Sequence, residues 1–588
     1  MEQARLTYQG TPLTGVSADL YPPHLDVIPK GPDYLSTFDI FNGMRLLDVG
    51  FVLASIIPES FKDYIMSDPD DGATMKELDD RNHQLRAEKK NIYKEPNVGD
   101  CTVTPWYTDE SFGQQQFTGA NPTTIEAASS QWAKEFQDEA TKQGNAAFAN
   151  AIADAAKSHS LFIQDCKYYR SAVGAGALAD LSAGINDPAK ARFACASVSL
   201  FILTKSGKLH PVAIVIDYKQ DMAHSVCLFN RRLTPEDTSI DQAVDWPWRY
   251  AKTCASSADW IRHEVKVHLN DCHFVEEATI VAAHRSFPTD HPVYRCLQPH
   301  WLKTLPLNAG ARATLVPQVV VPLIGMTKKA TYDFIRHEYD TFDFKAHYVP
   351  NHLANRGFPL AELGSAKFHN YAYGREILLM WQLLRKFVKA FLVGNGLTDA
   401  KVANDDAIKY WYTEMQSHEG GQMPSFPTIK TLDDLVDCVT MCIHIASPQH
   451  TAVNYTQEYY NSYVPNKPPA ICSPLPKTLQ ALQAIGESDL MKALPIGRAN
   501  EWLLASHLVH LLSYQVADDQ NIYNYGVSLF KLTEHDDTQT AIHDAARQFV
   551  IDLLEFDGVT EQMHKELDNQ EIPYDVLQPK LNAVSILI

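Results

Sequence analysis

The chain has 588 residues and a net charge of −20, from 51 Lys and Arg against 71 Asp and Glu. Such a surface repels nucleic acid and anionic membranes, and no basic run or aromatic RNA-binding block offsets it. Apolar residues make up 45% of the chain, but no apolar run of about 18 predicts a membrane span, and no signal-peptide pattern is present.

Taken in chain order, residues 60–100, with DPDDGATMKELDDRNHQLRAEKK, are so charged that a solvated helix or loop is expected. Ser129–His159 carries apolar residues at helical spacing. Ser199–Tyr218, SLFILTKSGKLHPVAIVIDY, reads as a β-hairpin turning at Ser206-Gly207. Then RHEVKVHLNDCHFVEE places His263, His268 and His273 five residues apart. In an α-helix such positions sit about 140° apart around the axis, so two of them would not face one metal. A π-type turn with i→i+5 hydrogen bonds would bring two of the three onto one face. HEVKVH also approaches the zinc-protease motif His-Glu-x-x-His, but it has one residue too many.

Arg375–Val393 and Leu432–Ser447 follow as helices, by helical apolar spacing or continuous burial. His450 and Asn454 in PQHTAVNYT are four apart, one helical turn, so an imidazole and a side-chain amide share a face. The chain ends in NAVSILI, a tail apolar enough to be buried, and a buried carboxylate on Ile588 needs a cation or hydrogen-bond partners. Any one of these histidines, taken singly, is more simply a hydrogen-bonded core residue. Ten cysteines without a CxxC pair or regular spacing predict reduced thiols in a cytoplasmic setting.

The run WRYAK (Trp248–Lys252), His-x4-His-x4-His, VEEATIVAAHR, HPVY, QPHW, HTAVN and the terminal Ile, in that order, resembles a lipoxygenase of the fungal type. The likeness runs from TDESFGQQQFTGANP (Thr108–Pro122) to the C terminus. It implies a mainly α fold: a large helical catalytic domain with a small β-sheet subregion and the metal at the centre of the helical core. It also implies one catalytic domain over 1–588, with 1–100 as an N-terminal extension packed on it and no N-terminal β-barrel.

The resemblance further implies the metal ligands His268, His273, His450, Asn454 and the carboxylate of Ile588. Nitrogen and oxygen donors without thiolate suit a mononuclear iron or manganese with a position left open. A terminal isoleucine, where manganese relatives tend to end in valine, favours one non-heme iron per chain. His263 is expected to be structural. Gln457 resembles the family's glutamine that links the metal helix to the substrate cavity, and Glu264 stands where its plant partner is a second glutamine.

The implied reaction abstracts a bis-allylic hydrogen from a polyunsaturated fatty acid such as linoleate and adds O2, giving a hydroperoxide. The metal-bound hydroxide is the only base required, so no catalytic side chain is expected. In LNAGAR the family's stereochemical switch falls on Ala311, with Gly310 beside it, and alanine goes with S products. Leu315 and Leu512 are expected as cavity walls and Met326 at the cavity base. Lys467 stands where plant members carry an arginine that can meet the fatty-acid carboxylate, its bland alternative being a solvated loop lysine. The product expected is 13S, in a monomer, with a 9S-lipoxygenase, a manganese lipoxygenase and an inactive lipid-binding relative as alternatives.

Overall fold

In the computed structural model of the chain, which describes residues 8–9, 21–25, 74–89, 95–513, 516–534, 539–569 and 574–588, a helical rod runs without a break from Trp246 to Ser286. It is an α-helix over Trp246–Ile261, a π-helix over Arg262–Phe274 and an α-helix again over Val275–Ser286. Nearly every side chain along it is buried, so the rod is covered by other elements on all sides. A helix apolar on only one face could not occupy this place.

Around the rod the architecture is mainly helical. The long helices Ala372–Gly394 and Thr540–His564 pack together, with Phe387 stacked on Phe549 at 4.2 Å between ring centroids. The amino-terminal helix Met75–Glu88 starts at a capping box, Thr74 accepting from the Glu77 backbone while the Glu77 carboxylate accepts from Thr74 N at 2.9 Å. It is not the freely solvated element its charge suggests. Met75, Leu78, Asn82 and Arg86 are buried along one face while the charged face looks out. Residues 60–73 and 90–94 of that charged stretch lie outside the described residues.

One five-stranded antiparallel sheet lies against this body: β1 (Glu126–Ala127), β2 (Leu161–Asp165), β3 (Val198–Leu203), β4 (Leu209–Val215) and β5 (Cys227–Phe229), neighbours in that order. The hairpin β3–β4 closes with Leu203 opposite Leu209, and Gly207 takes φ +77° in its turn. Alternation sorts the two faces. Leu161, Ile163, Val198 and Leu200 face a satellite cluster, while Phe162, Phe201 and Ile214 join the main core.

The satellite cluster is covered by Ser130–Lys142 and Ala146–Lys157, which bury Trp132, Phe136, Phe148 and Ile152 on the sheet. The helical stretch expected over Ser129–His159 is thus two helices. Gly144, at φ +77° with open space around it, allows the chain to reverse between them.

The motif residues around the rod hold it to its neighbours. Trp248 Nε1 donates to Asp109 Oδ1 at 2.7 Å, Lys252 Nζ lies 3.2 Å from the same oxygen, and Arg232 reaches Oδ2 at 2.9 Å. Burial works against the Asp109 carboxylate, but Lys252, Asn230 and Trp248 hold it down at about 2. His300 Nδ1, from QPHW, donates to Val584 O at 2.7 Å, and Trp301 Nε1 donates to Glu276 Oε1 at 2.6 Å. Among the described residues no single helix is long and apolar enough to cross a membrane, although the pair Thr304–Leu323 and Lys328–Asp340, bent by 115°, would pass that test together.

Glu276 yields a pH prediction. Its carboxyl is fully buried with one donor, and burial pushes it up to about 8 despite the Trp301 bond. A carboxyl whose folded value is raised contributes stability that is whole below about 4.5 and is lost as pH rises through about 8. Glu276→Gln should therefore melt near the wild type at pH 5 and gain on it by about 1.4 kcal/mol per pH unit toward pH 8. Thermal melts of both proteins from pH 5 to 9 test this, and parallel curves would contradict it.

Candidate metal centre

Within Arg262–Phe274 side chains five apart come together, as i→i+5 winding requires. His268 Nε2 and His273 Nε2 face one another at 3.3 Å. The third imidazole arrives from His450–Tyr455, which follows a second π segment, Ile445–Gln449, with Pro448 inside it. A proline removes an N–H and crowds the carbonyl four residues back, which disfavours a regular α turn. The His450 ring lies 5.3 Å from that of His268 and 5.0 Å from that of His273, centroid to centroid. One ligand atom from each of the three lies within 4.8 Å of the others.

All three are buried, and His450 is wholly inaccessible. Both of its ring nitrogens lack a protein partner. Buried polar groups are almost always bonded, so this imidazole is built for a partner the protein itself does not supply. Burial drives His450 far below the usual imidazole range, with His273 and His268 adding to it, and the same causes push His273 down to about 3, burial first and His268 next. Imidazole nitrogens converging on one buried point suit a metal cation. The buried thiol nearest in sequence, Cys272, donates instead to Val267 O at 3.3 Å.

The ring of His273 is oriented from behind. Asn308 Nδ2 donates to His273 O at 2.8 Å and to Glu277 Oε2 at 2.9 Å, which fixes the amide. Its oxygen then accepts from His273 Nδ1 at 2.8 Å, leaving Nε2 as the lone pair that faces His268. Glu277 is itself held by Arg312 at 2.5 Å and by the Leu25 backbone N–H at 3.0 Å. Sequence reasoning missed this chain of contacts. Asn308 and Arg312 stand in LNAGAR and Glu277 in VEEAT, but their pairing spans more than thirty residues.

Around His268 the carboxylate of Glu264 sits 3.8 Å from His268 Nδ1 and 3.7 Å from His263 Nδ1. Both distances are too long for hydrogen bonds. His263 Nε2 donates to Val453 O at 2.9 Å, tying the π-helix to the His450 helix. Asn454 Nδ2 donates to the Leu512 carbonyl at 2.5 Å, and its Oδ1 accepts from Gln457 Nε2 at 2.9 Å. The side chain of Leu512 is half-buried.

The same helix grips the end of the chain. Ser447 Oγ donates to Ala583 O at 2.5 Å, and Thr451 Oγ1 accepts from Ala583 N at 3.1 Å. Val584 is bonded on both sides, its N–H to Gln520 O at 2.9 Å and its carbonyl to His300 at 2.7 Å. Ile586, Leu587 and Ile588 are buried, as the tail's composition predicts.

The remaining sequence-predicted residues are placed as follows. Gly310 ends the helix Thr304–Gly310 and Ala311, buried, opens a third π segment, Ala311–Val320, which contains Pro317. Leu315 is half-buried and Met326 is buried. Lys467 requires a correction. It is no solvated loop lysine, being 2% exposed, and its ammonium is ion-paired with Asp259. The charge of Lys467 is thus balanced within the protein by a buried carboxylate.

A family model described as Lipoxygenase matches residues 61–579. A manganese lipoxygenase of Pleurotus sapidus is 45% identical over 580 residues, covering 97% of this chain and 88% of that one. Lipoxygenase 1, chloroplastic, of Tanacetum cinerariifolium is 28% identical over 407 residues, or 65% of this chain and 43% of its own. Among solved structures, a fungal lipoxygenase from Fusarium graminearum superposes with a TM-score of 0.88 at 37% identity, covering 100% of this chain and 98% of that one.

Residues that orient a metal-bound imidazole typically contribute 10- to 100-fold to metal affinity. Asn308→Ala should weaken metal binding by about that factor without unfolding the protein, because Arg312 still matches the Glu277 charge. Chelator competition on the folded variant measures it, and wild-type affinity would mean that the Asn308 contact does not orient the ring.

Proposed function

The chain belongs to the lipoxygenase family, and from that membership we propose that it is a linoleate 13S-lipoxygenase with His268, His273, His450, Asn454 and the Ile588 carboxylate around one non-heme iron. Lipoxygenases are dioxygenases whose substrates are fatty acids and O2. The observation that carries the assignment of ligands is His450, with two unpartnered ring nitrogens in a fully buried position beside the paired Nε2 atoms of His268 and His273. Asn454 lies one turn further on the same helix, and the contacts of Ser447 and Thr451 bring the chain end to that helix.

The metal, when bound, supplies one-electron redox chemistry and the base for a bis-allylic hydrogen. The protein's own part is to hold the ligands, exclude water and position the pentadiene. Gln457 bonded to the Asn454 oxygen leaves that amide a weak, adjustable ligand. Ala311, at the start of its π segment beside Arg312, supports S stereochemistry through the family's alanine rule. The pairing of Lys467 with Asp259 supports methyl-end-first binding, and so oxygenation at carbon 13, because a carboxylate inserted first would meet a lysine whose charge Asp259 already balances. The segments bearing the ligands share one helical body, which supports reading the chain as one catalytic unit, and its ten free thiols support a cytoplasmic setting.

Manganese is the second reading of the metal. The Pleurotus sapidus relative, at 45% identity, is named for it. Against it stands only the terminal isoleucine, and the donor set accommodates either ion.

Incubation of purified protein with linoleate, followed by diene absorbance and chiral separation of the hydroperoxides, tests the proposal. The account expects a dominant 13S product, moving toward R hydroperoxide in Ala311→Gly. A 9S product would reverse the substrate orientation, and an unchanged S product in the variant would remove Ala311 from stereocontrol. Turnover with metal analysis separates iron from manganese.

A further inference from the structure

Of the three π segments among the described residues, Ile445–Gln449 and Ala311–Val320 each contain a proline that breaks the α ladder. Arg262–Phe274, the one on which His268 and His273 depend, contains none. Its neighbours at both ends are regular α-helix, so the backbone alone offers no reason to add a residue per turn there. Something in the side chains must favour the wider winding.

Lys266 is the group placed to do so. Its Nζ lies 3.1 Å from Asp271 Oδ2, five residues on, and 3.2 Å from Glu338 Oε2 on the neighbouring helix Lys328–Asp340. Both carboxylates are buried, and Asn270 Nδ2 donates to the other Asp271 oxygen at 3.0 Å. In α register the residues facing Lys266 from the next turn would be Leu269 and Asn270, neither of them an acid. Within the rod itself, only i→i+5 winding brings a carboxylate to this ammonium. That winding is also the one in which His268 meets His273 and Cys272 Sγ reaches Val267 O. Glu338 anchors the ammonium from outside the rod, so Lys266 cannot swing off to solvent without leaving a buried acid unmatched.

We propose that Lys266 and Asp271, anchored by Glu338, are positioning residues that hold the π register of Arg262–Phe274 and thereby the alignment of His268 with His273. The proposal rests on the metal-dioxygenase reading of the centre. It predicts that the two legs of the cluster do different work. The Lys266–Asp271 leg sets the register, whereas the Lys266–Glu338 leg joins two helices.

Two conservative variants separate these roles, since each leaves the ammonium one carboxylate and so avoids an isolated buried charge. Asp271→Asn should release metal to a chelator at least about 10-fold faster than wild type, the size expected for loss of ligand alignment. In its metal-free crystal structure the ladder over 266–272 should revert to i→i+4, parting the His268 and His273 Nε2 atoms now 3.3 Å apart. Glu338→Gln should lower the melting temperature yet keep the π ladder and near wild-type metal release. Equal effects of the two variants on metal release, or an intact π ladder in Asp271→Asn, would overturn the proposal. A wild-type protein that takes up neither iron nor manganese would defeat the reading of the centre, while the ladder seen in Asp271→Asn would still decide the role of the pair.

Discussion

The i→i+5 winding of Arg262–Phe274 is the constraint on which the rest of the centre depends. With ordinary α winding, His268 and His273 would point about 140° apart and no third imidazole could meet both. With the wider turn their Nε2 atoms converge, and His450 needs only to approach from the side. Burial then acts on two of the three rings. It holds His273 and His450 below the usual imidazole range, so the lone pairs that a cation needs meet little proton competition there.

A centre of this kind has to be held from several directions, because no single element carries all of its groups. The π-helix is tied to the His450 helix by His263 and Val453 O. The His450 helix is tied to the chain end by Ser447 and Thr451, and the chain end is tied by His300 to the segment that follows the rod. Behind His273, Asn308 and Glu277 lead directly to Arg312, the neighbour of Ala311. The ligand side and the stereochemical side of the site therefore share one hydrogen-bonded chain. A change at Glu277 would disturb both.

Much of this was legible in the sequence because the signals are local. Five-residue spacing of histidines implied the unusual winding, four-residue spacing joined His450 to Asn454, and Ser206-Gly207 marked the hairpin turn. What was not legible depends on partners distant in the chain. Beside its likeness to the plant arginine, Lys467 left a solvated loop cation open as an alternative, because its partner, Asp259, lies 208 residues away. The charged stretch before residue 100 hid a buried stripe, since Met75, Leu78, Asn82 and Arg86 include only two apolar residues. The split of Ser129–His159 turned on one glycine whose left-handed conformation no periodicity reveals.

The central claim is that the three imidazoles, the Asn454 amide and the chain end surround one metal. Diffraction from crystals of the protein, recorded on either side of the iron and manganese absorption edges, addresses it most directly. The account predicts one anomalous peak between His268, His273 and His450, with the Asn454 oxygen and an Ile588 carboxylate oxygen completing the sphere at bonding distances of roughly 2 Å. A peak elsewhere, or one at the imidazoles with the Ile588 carboxylate turned away from it, would contradict the account.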